Sequence, residues 1–372
     1  MASKVYWSDL RTPEGGDSLL RKLQKLLKIS DFESVPFDGK IVAIKMHFGE
    51  PGNLAFLRPN WAKTVADAIK AKGGRPFLTD CNTLYPGRRK DALEHLESAQ
   101  ENGFTPQTTG CQVIIADGLR GTEEALVPVK GGEYVKEAKI GAAIMEADVF
   151  VSLSHFKGHE ATGFGGALKN IGMGSGSRAG KMEQHADGKP VVDEALCVGC
   201  GRCARNCGQN AISIVNGKSV IDYGKCAGCG RCIGACPKDA IEAGESSSNE
   251  MLCRKMAEYA KAVCDGRPCY HIAIITDVSP VCDCYGSNDM PIVPNIGMFV
   301  SSDPVALDQA CADAVNAAPV IPNSLLSDEL GRCGHDHADH FHVTNPNTHW
   351  QDTLDHAEKI GLGTREYELI KL

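Results

Sequence analysis

The sequence predicts an α/β fold: a mostly parallel sheet covered by helices, carrying one small cysteine-rich insert. Two observations predict it. Short apolar runs bounded by charge alternate with longer stretches of helical periodicity, and such alternation implies parallel pairing with both sheet faces covered. A block of eight cysteines with a repeated spacing interrupts the alternation once, after which it resumes.

Each element has its own signal. In "DSLLRKLQKLLKI" (17–29) the apolar residues at 19, 20, 23, 26 and 27 form one helical face. "KIVAIKM" (40–46), a short apolar run with flanking charge, reads as a strand. "RPNWAKTVADAIKAKGG" (58–74) has proline near its start and glycines at its end, the punctuation of a helix. Strand "RPFLTD" (75–80), helix "RKDALEHLESAQENG" (89–103) and strand "CQVIIAD" (111–117) follow. A helix within 133–147 and strand "DVFVSLS" (148–154) complete the first part. After the cysteine block come helix 249–263, strand 270–276, strand 297–302 and helix 303–315. The host domain is therefore expected in two parts, 1–188 and 246–372, with 189–245 inserted.

Seventeen cysteines in a chain of 372 residues point to metal or redox chemistry rather than to disulfides. "CVGCGRCARNC" (197–207) and "CAGCGRCIGAC" (226–236) each read C-x2-C-x2-C-x3-C, displaced by 29 residues. Their flanks repeat too, "VVD" against "VID" and "NAISI" against "DAIEA", so the insert is a duplication. Three close thiolates cap one face of a cubane, while the fourth lies too far around and serves the other cluster. Cys197, Cys200, Cys203 and Cys236 are thus assigned to one [4Fe-4S] cluster, and Cys226, Cys229, Cys232 and Cys207 to the second. Paired zinc knuckles are the competing assignment, but no histidine stands among the eight. Residues 190–245 resemble bacterial two-cluster ferredoxins, which implies an α+β insert and a role in electron transfer. Gly208 departs from the pattern, standing where proline usually follows the fourth cysteine, whereas Pro237 keeps it.

The carboxyl ends of the expected strands collect chemistry, and in sheets of this class ligands bind there. His47 and "GEPGN" follow the first strand; Asp80, Cys81 and Asn82 the second; Asp117 and Gly118 the third. "SHFKGHEATGFGGALKN" (154–170) follows the fourth, Asp277 and "VCDCYG" the fifth, and Ser302 and Asp303 the sixth. In 154–170, Gly163, Gly165 and Gly166 would aim backbone N–H groups at an anion, with His155, Lys157, His159 and Lys169 as candidate catalytic groups. The spacing matches neither standard phosphate fingerprint, and a glycine-rich turn with solvated lysines is the plain alternative. Asp80 and Asn82 are candidate cofactor contacts. His185 lies just ahead of the first cysteine run, as a structural residue or as a ligand. Cys282 and Cys284 read as exposed thiols, a redox dithiol or soft metal ligands, and the one-residue spacer favours a shared metal over a disulfide. "CGHDHADHFH" (333–342) reads as a solvated face, and Cys253, Cys264 and Cys311 as core residues.

The net charge of −8 and the lack of basic, aromatic-interleaved stretches argue against nucleic acid. No uncharged apolar run of about 18 residues appears and the start has no apolar signal core, so no membrane partner and a cytoplasmic location are expected.

"IKMHFGEPGN", "LTDCNTLY", "IIADGL", "CDCYGSND", "PIVPNIGMFVSSDPVALDQA" and "EKIGLGTREYEL" together resemble a family of bacterial and archaeal iron–sulfur proteins. That family is a domain of unknown function fused to a two-cluster ferredoxin. "HEATGFGGALK" is more distantly similar to a stretch of the lactate racemase family, where a lysine is tied to a nickel-pincer nucleotide. That resemblance implies Lys169 at the lysine position, His159 ten residues before it and His185 at the nickel-ligand position. Three functions follow as expectations. The first is an oxidoreductase whose clusters pass low-potential electrons, exchanged with a donor or acceptor protein, to a small substrate or additional metallocofactor. The second is a nickel-pincer-type racemase or epimerase. The third is an electron carrier without chemistry of its own.

Overall fold

The computed structural model describes residues 2–85, 87–186, 189–244, 248–333 and 339–372. Its centre is an eight-stranded sheet. The strands are β1 (Ser3–Asp9), β2 (Ile41–Lys45), β3 (Arg75–Asp80), β4 (Val113–Ile115), β5 (Val149–His155), β6 (Cys269–Ile275), β7 (Gly297–Ser301) and β8 (Tyr367–Lys371), in spatial order β8-β1-β7-β6-β5-β2-β3-β4. All neighbours pair in parallel except β7, which runs antiparallel to both β1 and β6. The expected α/β class with a mostly parallel sheet is what the chain forms.

The helices that cover the sheet are α1 (Leu19–Ile29), α2 (Pro59–Ala71), α3 (Ala92–Glu101), α4 (Ala167–Ser175), α5 (Arg178–Ala186), α6 (Asn249–Cys264), α7 (Pro304–Asn316) and α8 (Gln351–Lys359). Alternation along each strand sends side chains to opposite faces. Val42 and Ile44 join a core with Leu23, Leu27 and Val65 of α1 and α2, whereas Ala43 joins the other face with residues of α4, α6, α7 and α8. Side chains that satisfy local rules start the helices: Ser18 caps α1, Asp91 caps α3 and Ser248 caps α6, each accepting from a backbone N–H one turn on.

Three local expectations are corrected. No helix joins β6 to β7, so β7 returns antiparallel and Ser301 pairs with His271 near the start of β6. Ser302 and Asp303 thus lie on the rim opposite the other strand ends. There Asp303 caps α7 and accepts from Ser3 Oγ and Thr364 N. Residues 133–147 are not one helix: Glu137–Gly141 is a strand paired with Glu124–Pro128, and only Ala142–Glu146 is helical. In the histidine-rich stretch, His335 and His337 lie outside the described residues. His340 is buried, with Nδ1 at 3.0 Å from the Val315 carbonyl, so it is no part of a solvated face. Cys253 and Cys311 are buried, as expected, and Cys264 half-buried.

Between residues 189 and 244 the elements are short. Pro190–Val192 pairs antiparallel with Ile241–Ala243, and Ile212–Val215 with Lys218–Ile221. The duplication is visible in the backbone: the helices Arg202–Arg205 and Arg231–Ala235 each start after a left-handed glycine, Gly201 (φ 71°) and Gly230 (φ 64°). Cys203, Cys232, Ile233 and Ile241 of this segment share a small core with Leu84 and with Met182 of α5.

Candidate functional site

The ends of β2, β3 and β5 and the helices α4, α5 and α6 enclose a cleft of about 890 Å³, counting its open mouth. Its cations are Lys45, Arg89, Lys157, Lys169 and Lys181, against the carboxylates Asp80 and Glu160. Leu84, Met173, Leu252 and Met256 form an apolar wall. Such a surface suits a small anion with an apolar part.

On the floor, Lys45 Nζ meets Asp80 Oδ1 at 2.9 Å and Asn170 Oδ1 at 2.8 Å, with both partners of the ion pair almost fully buried. Burial alone would raise the Asp80 carboxyl, but Lys45 and the neighbouring His95 and His47 hold it below the usual carboxylate range. Gly174 is required here, because a Cβ would stand 2.4 Å from Lys45 Nζ. Asp80 therefore lines the cleft as an ion-paired anion. Asn82 does not reach it: its amide donates to Asp117 Oδ1 and to the Gly118 carbonyl, both at 2.9 Å, tying β3 to β4.

The stretch 154–170 divides by role. His155 is spent on structure, since Nδ1 faces Asp283 Oδ2 at 2.9 Å and Nε2 faces the Thr276 carbonyl at 2.6 Å. Two acceptors leave that ring no lone pair for catalysis. Lys157 Nζ lies 3.3 Å from Asp283 Oδ2, at the cleft edge. His159 Nδ1 accepts from Ala161 N at 3.0 Å and Thr162 N at 3.2 Å, which places its ring proton on Nε2. His159 is thus a hydrogen-bond donor to the cleft rather than a base. Gly166 makes room for Asp308 of α7, whose carboxylate takes the Ala167 N–H at 2.6 Å and the Leu168 N–H at 2.8 Å. The helix start expected to receive an anionic ligand is already filled. Gly163 packs on Trp350, and Gly165 fits between Lys157 and Lys169.

Lys169 points across the cleft edge to Cys282 Sγ, at 3.4 Å. Burial would lower its amine, but the sulfurs of Cys282 and Cys284 and the carboxylate of Glu160 raise it. The opposite wall holds His185, with Nε2 at 2.8 Å from Tyr85 Oη. Burial and the charges of Lys169, His159 and Lys181 push the His185 imidazole down to about 3, so it is neutral. His47 Nδ1 accepts from Gly49 N at 2.9 Å, while its buried Nε2 finds no partner among the described residues. It offers an unmet N–H to the cleft.

In the cysteine-rich segment, Cys197, Cys200, Cys203 and Cys236 line one cavity of about 290 Å³, together with Ser219 and Pro237. Backbone N–H groups already point at sulfur: Ser219 N to Cys197 at 3.4 Å, Ala240 N to Cys236 and Ala211 N to Cys207, both at 3.3 Å. Cys229 and Cys232 lie beside the buried guanidinium of Arg178, and Arg178 and Met182 pack on Gly230. Among the described residues no three His, Cys, Asp or Glu side chains converge on one ion-sized point, so His185, Cys282 and Cys284 do not assemble a site for a single metal ion. A cubane spreads its four ligands over separate corners and is not subject to that test.

A family model described as a domain of unknown function, DUF362, matches residues 42–313. The chain belongs to the DUF362 family. The matched region runs from β2 into α7 and contains both the cleft and the cysteine-rich segment. No curated protein matches significantly. Among solved structures, the lactate racemase apoprotein from Thermoanaerobacterium thermosaccharolyticum aligns at 14% identity and TM-score 0.33, over 74% of this chain and 51% of that one. A protein from Thermotoga maritima aligns at 10% identity and TM-score 0.34, over 71% of this chain and 52% of that one. The chain spans about half the length of each.

In this DUF362 domain several cleft residues escape the sequence pattern. Lys45 sits in a buried strand, and a charge inside "KIVAIKM" is the signal that marks it. Asp283, between the two cysteines, anchors His155 and Lys157. Arg89, Tyr85 and Lys181 come from ordinary-looking loop and helix segments and carry no signal of their own.

Proposed function

We propose that this chain is an iron–sulfur oxidoreductase in which two [4Fe-4S] clusters pass low-potential electrons, one at a time, to a small anionic molecule or metallocofactor in the cleft. One observation carries the reading. The three close cysteines of the first run share a cavity with the last cysteine of the second, the crossed set a two-cluster insert needs. The residues fit the group, since all eight cysteines are unpaired and several sulfurs already accept backbone N–H bonds of the kind that tune cluster potential. Bound clusters would supply one-electron transfer. The Cys197 set opens to solvent at Cys200 beside the exposed Val198, where a donor or acceptor protein docks. The other set lies toward the host domain, with Cys229 and Cys232 near the buried Arg178 guanidinium, which packs with Met182 on Gly230. The chain's own groups then act on the bound molecule: Lys169, Lys181 and Arg89 balance its charge, and the N–H groups of His47 and His159 donate to it.

Iron and electron paramagnetic resonance of anaerobically purified protein test this. About eight irons per chain and signals from two interacting reduced cubanes are expected; zinc in place of iron overturns the reading.

A second reading, the nickel-pincer-type racemase, is favoured by one placement: Lys169, His159 and His185 all line the same cleft. It requires nickel and a covalent adduct on the Lys169 peptide. Mass spectrometry of active protein that shows neither removes it.

A further inference from the structure

The loop after β6 carries Cys282 and Cys284, one residue apart. There the chain turns back on itself: Tyr285 N donates to the Cys282 carbonyl at 3.2 Å, and Cys284 N donates to Cys282 Sγ at 3.4 Å. A one-residue spacer suits a disulfide poorly in extended chain, but this turn folds Cys284 back toward the Cys282 sulfur. Cys282 is fully buried, and Cys284 reaches the cleft. Two donors meet at Cys282 Sγ, the Cys284 N–H and the Lys169 ammonium, both at 3.4 Å. Soft-metal ligation fits less well. No third His, Cys, Asp or Glu completes a site among the described residues, and the two backbone N–H groups on His159 Nδ1 keep Nε2 protonated.

We propose that Cys282 and Cys284 are a reversible dithiol–disulfide centre, the two-electron partner of the clusters at the edge of the cleft. This rests on the iron–sulfur reading above. Reduction breaks the S–S bond, consuming two electrons, one from each reduced cubane, and one proton. Cys282 becomes a thiolate, and the proton stays on Cys284 Sγ, which donates it to Cys282. In reverse the S–S bond forms, the proton leaves from Cys284, and two electrons depart singly through the clusters. The thiol properties agree: Cys284, Lys169 and His159 hold Cys282 well below the usual thiol range against the effect of burial, while the bond to Cys282 and burial push Cys284 up. Such asymmetry marks exchanging dithiols. The route is short in residues, for Cys232 shares a small core with Leu84, and Leu84, Tyr85 and Cys284 all line the cleft.

Cluster-loaded wild type and Cys284→Ser are oxidised, denatured in iodoacetamide and digested, and in parallel titrated with a low-potential reductant while iron is counted. In oxidised wild type the peptide holding Cys282 and Cys284 should be unalkylated and lighter by two hydrogens. After reduction it should take two alkyl groups. Wild type should consume four electrons per chain and Cys284→Ser two, at equal iron. Full alkylation of oxidised wild type, or equal electron uptake by both proteins, overturns the dithiol centre. Missing iron would overturn the cluster reading instead, and the peptide masses would still report on the thiols.

Discussion

The Lys169 amine lies 3.4 Å from the sulfur of Cys282, although 113 positions separate them in the chain. Two long-range arrangements make that contact. Asp308 pins the start of α4 through the Ala167 and Leu168 N–H groups, which sets the direction of Lys169 in that same first turn. Asp283 anchors the cysteine loop by its bonds to His155 and Lys157. The cation and the sulfur are thus each held from behind, which is what a charge-stabilised thiolate requires.

Replacing Lys169 by methionine keeps the stem and removes the charge. A charge-assisted contact is worth about 1.5–3 kcal/mol, so the pH midpoint of Cys282 ionisation should move up by about one to two pH units. The difference in thiolate ultraviolet absorbance between wild type and Lys169→Met, followed against pH, checks this in place of alkylation, which buried Cys282 resists. An unmoved midpoint would mean that the thiolate does not depend on Lys169.

Acid should destabilise the fold through its buried imidazoles. Burial pushes those of His95, His185 and His271 down to about 3, against an ordinary value of 6.5. The unfolded chain therefore binds protons near pH 6.5 that the native chain refuses. By pH 5 each ring costs about 2 kcal/mol, while the carboxyls of Asp308 and Asp117, which burial raises to about 7 and about 6, take up protons in the native state and offset about 4 kcal/mol of that sum, leaving a net loss of about 2 kcal/mol. Asp80 and Asp283, held below the usual carboxylate range, add a second loss only at lower pH. Urea unfolding followed by tryptophan fluorescence at pH 7.5, 6.5 and 5 measures the first phase, and a flat profile between 7.5 and 5 contradicts it.

Gly166→Ala should be costly in a way its helix position does not suggest. Its Cβ would stand 2.3 Å from Asp308 Oδ1 and push away the carboxylate that caps α4. A buried acceptor and two N–H groups left unmet cost about 1–3 kcal/mol, and Lys169 should lose its hold on Cys282. Gly331→Ala is the control: it lies in the helix Leu325–Cys333 with nothing within 4 Å of the added carbon. It should gain about 0.5–1 kcal/mol. Thermal unfolding of both variants decides the matter, and equal melting shifts would show that Asp308 is not the constraint.

Legibility in the sequence followed the range of the forces involved. The strands β2, β3, β5 and β6 and the helices α1, α2 and α6 were readable because periodicity and caps are local properties. The repeat of the cysteine runs was readable for the same reason, and the two short helices that follow Gly201 and Gly230 repeat with it. The direction of β7 was not, because it depends on a connection without a helix. Neither was the use of the GFGG glycines, because Asp308 enters from 140 residues away. His155 looked catalytic by type and position, and only its partners Asp283 and the Thr276 carbonyl show that both nitrogens are engaged.

The crossed ligand sets can be tested by additivity. Cys236 shares its cavity with Cys197, Cys200 and Cys203; under the proposed two-cluster reading Cys207 then joins Cys226, Cys229 and Cys232. Losses within one cluster should not add, while losses in different clusters should. Cys236→Ala should remove about half the iron, and adding Cys200→Ala should remove almost none of the remainder. Adding Cys229→Ala instead should empty the protein. Uncrossed sets reverse the two double variants, with Cys236→Ala and Cys229→Ala sparing one cluster. Iron content and the residual resonance signal of the double variants distinguish the two. The surviving cluster should also differ in reach: Cys236→Ala spares the set beside Arg178 of α5, so its reduced form should still deliver electrons to the cleft. Cys207→Ala spares only the set that opens to solvent at Cys200, and delivery to the cleft should fail.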